Sequence, residues 1–180
     1  MVVVFFLLAT YIPRLLVDSP QYDFLFAQDY SSSNQQSRWR YEIDIDSERR
    51  LRVRAFLAEP DKYAPRARLY LYEHGSGNIR EISLPLPETA EAAEAGVVVE
   101  VPEFSNQIID TSRVTPDGYE FVEPGRGSSG PLGLFYRGGW RGLAISKSGA
   151  VVTVPSGDGF NCYGARFLGW IVTPPDHRTP

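Results

Sequence analysis

Apolar and polar residues alternate over several short segments of the chain, which is the pattern of β-strands with one buried face. The alternation covers residues 39–45 and resumes after a polar turn at 46–50. The apolar positions after the turn are Leu51, Val53, Ala55 and Leu57. Period two on both sides of a turn predicts a β-hairpin, whose other face lies in water and carries Arg50, Arg52 and Arg54.

Two further hairpins are predicted downstream. Residues 69–84 read as two strands around a loop in which Gly75 and Gly77 supply the positive φ that a tight turn requires. Residues 143–154 make a similar pattern around the turn at 147–149. Single strands are expected at residues 97–101, 108–109 and 165–172, a proline-fixed turn at 115–118 and a loop at 125–131. One short helix is expected at residues 88–95, which are rich in alanine and glutamate.

These segments predict a mainly β fold, an antiparallel sandwich or rolled sheet of blade-like hairpins with about seven to nine strands. One N-terminal hydrophobic helix precedes it in this interpretation. The predicted domains are a membrane anchor at 1–17, an interfacial segment and linker at 18–37, and a β domain at 38–172, followed by a disordered tail at 173–180.

The first 17 residues allow three interpretations. A secretory signal peptide would have a basic start and a small-residue cleavage site, and this segment has neither. A perpendicular membrane helix needs about 20 apolar residues. Residues 1–17 come close to this length if the Arg14 side chain extends to the membrane interface. The third interpretation is a buried core strand. We favour the anchor, with a single pass through the inner membrane and the bulk of the chain on the periplasmic side, as in tethered envelope proteins.

Residues 18–37 contain an aromatic stretch and then a polar one. The large apolar side chains are Tyr22, Phe24, Leu25, Phe26 and Tyr30. They suit the interfacial belt of a membrane, and the alternative is that they pack on the domain. The sequence SSSNQQS at 31–37 reads as a flexible linker, which places the start of the β domain near Arg38.

Composition narrows the function classes. The chain has 180 residues, of which 43% are hydrophobic, so it can build one ordinary core. Eighteen basic residues against 22 acidic ones leave a net charge of -4, which disfavours a nucleic-acid partner. The single Cys162 excludes an intramolecular disulfide and any multi-cysteine zinc site, and two histidines offer little for a histidine-based one.

Candidate catalytic and binding motifs do not meet their requirements. The glycine-rich residues 125–130 are followed by Pro131 and Leu132, where a phosphate-binding loop needs lysine, a hydroxyl residue and a helix. The acidic row of Glu42, Asp44, Asp46 and Glu48 reads as a solvated strand face, because calcium ligands must converge on one point. Cys162 is expected to be an inert thiol beside aromatic residues. No catalytic, cofactor-binding or metal-binding residue is therefore predicted.

The second hairpin, LYLYEHGSGNIREISLP, and the later segment SRVTPDGYEF resemble the strand-turn-strand unit and S-P-D-G turn of WD-like β-propeller repeats in bacterial envelope proteins. Pro116, Asp117 and Gly118 match the turn, and Thr115 replaces its serine. The resemblance implies a blade-like antiparallel sheet in which Asp117 and Gly118 form a turn and bind no ligand. The 143 residues after the linker are too few for a closed ring of about four or more blades. The whole chain is also similar to small bacterial proteins with an N-terminal anchor.

The function predicted from these observations is non-catalytic. The chain is expected to be a tethered accessory or structural subunit that packs against integral-membrane or envelope proteins, with contact aromatics such as Trp39, Tyr136 and Trp140. The alternative is an extracytoplasmic ligand- or glycan-binding module that stacks sugars on Tyr136, Trp140 and Tyr163. A third interpretation is a hydrolase whose carboxylates come from separate strands.

Overall fold

The computed structural model describes residues 17–30, 39–57, 66–87, 96–122, 143–148, 150–154 and 165–172. Within these ranges the chain forms eleven β-strands and one short 3₁₀ helix at Pro102–Phe104. The strands are β1 Phe24–Tyr30, β2 Trp39–Ile45, β3 Leu51–Leu57, β4 Arg66–Glu73, β5 Asn78–Ile82, β6 Val97–Val99, β7 Ile108–Asp110, β8 Glu120–Val122, β9 Ala144–Lys147, β10 Ala150–Thr153 and β11 Ala165–Val172.

The strands form three antiparallel sheets. A central five-stranded sheet has the order β5-β4-β1-β11-β7, a second sheet has the order β2-β3-β6, and a third has the order β10-β9-β8. Every strand pair in them is antiparallel. The prediction of a mainly β, antiparallel fold is therefore confirmed. The predicted seven to nine strands are too few, because the described residues alone form eleven.

All three predicted hairpins form, and each uses its polar segment as the turn. In the first, β2 and β3 pair from Trp39 with Leu57 to Ile45 with Leu51. Arg49 takes a positive φ of 64° in the turn, and Asp46 accepts hydrogen bonds from the backbone N–H groups of Glu48 and Arg50. The β4–β5 hairpin forms around residues 74–77, the β9–β10 hairpin joins strands that end at 147 and begin at 150, and β11 has the predicted bounds 165–172. Only Gly77 takes the positive φ predicted for the β4–β5 turn, at 69°, so the prediction for Gly75 is wrong.

The central sheet begins earlier in the chain than the sequence indicates. β1 lies within residues 18–37, which we assigned to an interfacial segment and linker, and it pairs with β4 on one side and β11 on the other. Its residues Phe24, Leu25 and Phe26 are fully buried. The predicted domain start near Arg38 is too late, because a strand covered on both faces lacks the polar alternation that marks a half-buried one.

The two faces of the central sheet carry different cores. One face packs with the second sheet through an aliphatic cluster that includes Leu25, Leu69 and Ile43. The other packs with the third sheet through an aromatic cluster that includes Phe24, Tyr70 and Phe121. Successive residues of a strand point to opposite faces, so β1 and β4 each supply both clusters by alternation.

Gly169 lies where β11 changes its pairing on β1. The register shifts between Leu25 and Phe26, which pair with Gly169 and Phe167, so Leu168 is an extra residue in β11. A Cβ at Gly169 would come within 2.5 Å of Ile109 Cγ2 and 2.7 Å of the Asp110 carbonyl oxygen. This β-bulge therefore needs a glycine, because β7 approaches the backbone too closely for a side chain.

Arginines close two of the sheet edges. Arg49 makes two hydrogen bonds at the β7 edge of the central sheet. Its carbonyl accepts the Ile109 N–H at 2.8 Å, and its Nε donates to the Ile109 carbonyl at 3.3 Å. Arg166, on β11, donates to the Ile43 carbonyl at 2.6 Å on the β2 edge of the second sheet. These contacts satisfy edge groups and fasten the second sheet to the central one.

Several predictions fall outside the described residues. These are the N-terminal helix up to residue 16, the linker at 31–37, the helix at 88–95, the loop at 125–131 and the tail at 173–180. In the part of the chain that the structure describes, no helix has the length and apolar character needed to cross a membrane.

Candidate functional site

Most aromatic residues singled out for binding lie outside the described ranges. They are Tyr136, Trp140 and Tyr163. Cys162 also lies outside these ranges. Trp39 is described and is the first residue of β2, where it pairs with Leu57 and is only partly exposed. The three predicted glycan-binding aromatics thus all lie outside the described ranges, and the glycan-binding alternative stays a prediction.

The acidic row on β2 is occupied by protein partners. Glu42 accepts a hydrogen bond from Arg54 at 3.0 Å and lies 3.7 Å from Arg40. Asp44 lies 3.8 Å from Arg166. Asp46 binds backbone N–H groups in its turn. Over the described ranges, no three His, Cys, Asp or Glu side chains are placed to hold a metal ion together.

A polar cluster joins the residues before β1 to two turns of the folded β domain, which we call the head, and we call this cluster the N-terminal clamp. It consists of Asp18, Gln21, Asp23, His74, Thr115, Asp117 and Tyr119. Its contacts link positions that are 51 to 101 residues apart in sequence. The segment that follows the apolar N-terminus is thereby fixed to the end of the central sheet at which β1 begins.

The turn at 115–118 forms the first half of the clamp. Thr115 is buried, donates its hydroxyl to the Asp117 carboxylate and accepts the Tyr119 N–H at 2.7 Å. Gly118 has a φ of 86°, which a residue with a side chain rarely adopts, and its N–H closes the turn on the Thr115 carbonyl. The predicted turn is confirmed, and it also binds another segment, because Asp117 accepts the Gln21 N–H at 3.0 Å.

The β4–β5 turn forms the second half. Asp23 accepts the His74 N–H at 2.8 Å, and the Nδ1 atom of the His74 ring lies 2.6 Å from the same carboxylate oxygen. The Asp23 carbonyl accepts the Ile171 N–H at 2.8 Å, which extends the pairing of β1 with β11. Both side chains are partly exposed, at 41% for His74 and 33% for Asp23. The pair therefore holds the start of β1 at the surface.

Buried tyrosines complete the clamp. Tyr119 is 2% exposed and donates its hydroxyl to the Asp18 carbonyl at 2.6 Å. Burial, and then the negative charges of Asp117 and Asp18, raise the pKa of Tyr119 above its ordinary value. Burial and the Asp23 carboxylate raise the pKa of Tyr72 in the same direction. Both phenols therefore remain neutral at physiological pH, and the Tyr119 hydroxyl keeps the proton that it donates to Asp18.

The outer face of the second sheet is a different kind of surface. The guanidinium groups of Arg40 and Arg54 lie 5.1 and 5.7 Å from the centroid of the Phe56 ring. Gly96 has a φ of 83°, and a Cβ there would come within 2.5 Å of the same ring. Beside this group Val98 is 58% exposed on β6. Arginine and aromatic side chains are both enriched in protein interfaces.

Comparison with known proteins gives no relative. No protein-family model matches the chain, and neither a curated protein nor a solved structure matches it.

The sequence gives little sign of the clamp. Its turn residues Pro116, Asp117 and Gly118 are visible as a motif. Asp18, Asp23 and His74 carry no local signal, because their partners are distant in sequence and each of the three makes a contact through a backbone group.

Proposed function

We propose that the protein is a membrane-tethered, non-catalytic accessory subunit of an envelope assembly, with its β head outside the cytoplasm and its N-terminal apolar segment in the bilayer. The N-terminal clamp carries this proposal. It binds residues 18–23 to the head through Tyr119, Asp117 and His74. If the membrane segment ends at residue 17, the next residue, Asp18, is already bound to the head, so almost no flexible residues separate the two.

The position of the polar linker strengthens the argument. Residues 31–37 follow β1, so they do not separate the apolar segment from the head. A head bound directly to its tether has a restricted orientation at the membrane surface. Restricted orientation favours binding to a fixed neighbour, because less rotational freedom is lost on association. The predicted integral-membrane or envelope partners fit this arrangement.

The tether is tested by fractionation of cells that produce the full chain or a variant lacking residues 1–16. We expect the full chain in the membrane fraction after an alkaline carbonate wash and the variant in the wash. The variant retains the described residues, so its circular dichroism checks that the head is folded. Full chain released by the carbonate wash would contradict the tether.

The accessory role is tested by a pull-down from native membranes in a mild detergent. We expect the full chain to be recovered with a defined membrane or envelope protein at constant stoichiometry. A matched variant, Tyr119→Phe with Asp117→Asn, loosens the clamp without altering the apolar segment, and should remain in the membrane with less of the partner bound. Recovery of the wild-type chain alone as a monomer would contradict the accessory role.

A further inference from the structure

We propose that the β6 edge of the second sheet pairs with the same edge of a second copy of this chain, which would join two second sheets into one continuous antiparallel sheet. The pairing is centred on Val98, related by a two-fold axis to Val98 of the other copy. It is independent of the membrane tether.

Along β3, successive residues direct their backbone N–H and carbonyl groups alternately toward β2 and toward β6. This alternation leaves the N–H and carbonyl of Val98 pointing away from β3. The Asp46 N–H bonds the Arg50 carbonyl, so Arg50, Arg52 and Arg54 direct their backbone groups toward β2. Val53 and Ala55 then face β6, where they pair with Val99 and Val97. Val98 lies between Val97 and Val99 and directs its N–H and carbonyl toward the outer edge of the second sheet.

Within the described residues, this edge lacks the backbone contacts that close three of the other edges. The β7 edge is bonded by Arg49, the β2 edge by Arg166, and the β8 edge is bridged by Val114. Among the residues that the structure describes, none donates to or accepts from the outward backbone groups of Val98. Its side chain is 58% exposed, so the edge is accessible to another chain. An unprotected edge strand without charge is a template for pairing.

The charges around β6 complement a second copy. In antiparallel pairing about Val98, Glu100 of one copy lies opposite Gly96 of the other. Gly96 lies against the Phe56 ring, which is flanked by Arg40 and Arg54. Glu100 is exposed and has no ion pair within the described ranges. Each copy would therefore place the Glu100 carboxylate beside Arg40 and Arg54 of the other copy. Within their own chain these two guanidinium groups share one carboxylate, that of Glu42.

The paired segment is short, so the dimer is expected to be weak. β6 has three residues, and the contact adds two central hydrogen bonds, two valine side chains and two ionic contacts. A weak contact of this kind becomes populated as the protein concentration rises.

Disulfide trapping tests the pairing in the full chain. Cys162 is replaced by serine to remove the only native thiol, and Val98→Cys is introduced on this background. Directly paired residues have Cα atoms about 5.5 Å apart, within the range that a disulfide spans. We expect oxidation of the purified protein in detergent, or of native membranes, to give a covalent homodimer.

The matched control is Val114→Cys, because Val114 is a similarly exposed valine at 49% on another edge. We expect several-fold less dimer from it than from Val98→Cys. Adding Glu100→Arg to Val98→Cys should lower the yield of dimer, since it replaces the ionic attraction by repulsion. Equal yields from the two cysteine variants, or cross-linking of Val98→Cys only to a different protein, would overturn the proposal.

Analytical ultracentrifugation of thiol-free variants gives a second measurement. Val98→Pro removes the outward N–H and leaves the bonds of Val97 and Val99 to β3 in place. We expect this variant to remain monomeric at concentrations where the wild-type chain self-associates, with an unchanged circular dichroism spectrum. Undiminished self-association of the folded Val98→Pro variant would also overturn the proposal.

Discussion

The two cores on either side of the central sheet differ in chemistry although the same strands build them. The aliphatic cluster contains Leu25, Leu69 and Ile109 among its fully buried members. The aromatic cluster contains Phe24, Phe26 and Trp170, and Phe26 stacks on Tyr70 with ring centroids 5.2 Å apart. Alternation along β1 and β4 places aliphatic side chains on one face of the sheet and aromatic side chains on the other. In a half-buried strand, alternation would instead place apolar side chains on one face and polar ones on the other.

The aromatic cluster also contains polar groups, and the aliphatic one is nearly free of them. The Tyr119 hydroxyl and the Trp170 Nε1–H bond the carbonyls of Asp18 and Ser112. Tyr41 lies only at the rim of the aliphatic cluster, where its hydroxyl donates to the Pro85 carbonyl. The aromatic side therefore fastens surrounding loops by hydrogen bonds from within its cluster. On the aliphatic side the interior is held by packing, and the hydrogen bonds of Arg49 and Arg166 join the two sheets at their edges.

The largest expected effect comes from exchanging the two classes on β1. The double variant Phe24→Leu/Leu25→Phe keeps the composition but sends each side chain into the wrong core, so it leaves a cavity on one face and overpacks the other. We expect a loss of about 3–5 kcal/mol in the free energy of unfolding by urea titration. The single variant Phe24→Leu is the control and should lose less. A double variant as stable as the single one would show that the cores do not distinguish the classes.

Gly169→Ala tests the bulge that directs Leu168 to the aliphatic side and Trp170 to the aromatic side. The added methyl group meets Ile109 and the backbone of Asp110, so we expect a loss of about 1–3 kcal/mol in thermal or urea unfolding. Gly75→Ala is the matched control, because a Cβ there meets nothing within 4 Å, and it should be close to neutral. Equal stabilities would mean that β7 moves aside freely.

Tyr119→Phe removes one hydrogen bond of the aromatic side and keeps the ring. The Asp18 carbonyl loses its donor, so we expect a loss of about 1 kcal/mol and faster amide exchange in residues 18–22. Tyr41→Phe is the control at the aliphatic rim and should leave exchange in residues 18–22 unchanged. Unchanged exchange in Tyr119→Phe would show that this bond does not hold the segment.

The smallest expected effect is a difference in alkaline stability. The folded state raises the pKa of Tyr72 and Tyr119, so the unfolded chain loses these protons first as the pH rises. Their contribution is complete below about pH 10 and is lost as the pH rises through the raised values. We expect the free energy of unfolding to fall less steeply above pH 10 in Tyr119→Phe than in the wild type. Identical slopes would contradict this linkage.

The sequence predicts the hairpins well because each has a local pattern. β2 and β3 alternate across a polar turn, and β11 is rich in aromatic and branched apolar residues up to Val172. β1 was wrongly assigned because its buried part, FLFA, is apolar on both faces and resembles an interfacial segment. The clamp and the arginine edge contacts are invisible in the sequence, since each joins residues from distant elements. The resemblance to WD-like repeats stays a prediction.

The order of the central sheet has a consequence for synthesis on the ribosome. β1 lies between β4 and β11, and β11 is translated 135 residues after β1 ends. A nascent chain can pair β1 with β4 early. The contact between Phe24 and Trp170 cannot form until β11 has been translated. At about 5–20 residues per second this leaves several seconds during which one side of β1 is unpaired. Targeting factors or chaperones that act on the nascent N-terminus would therefore meet it before the head has closed.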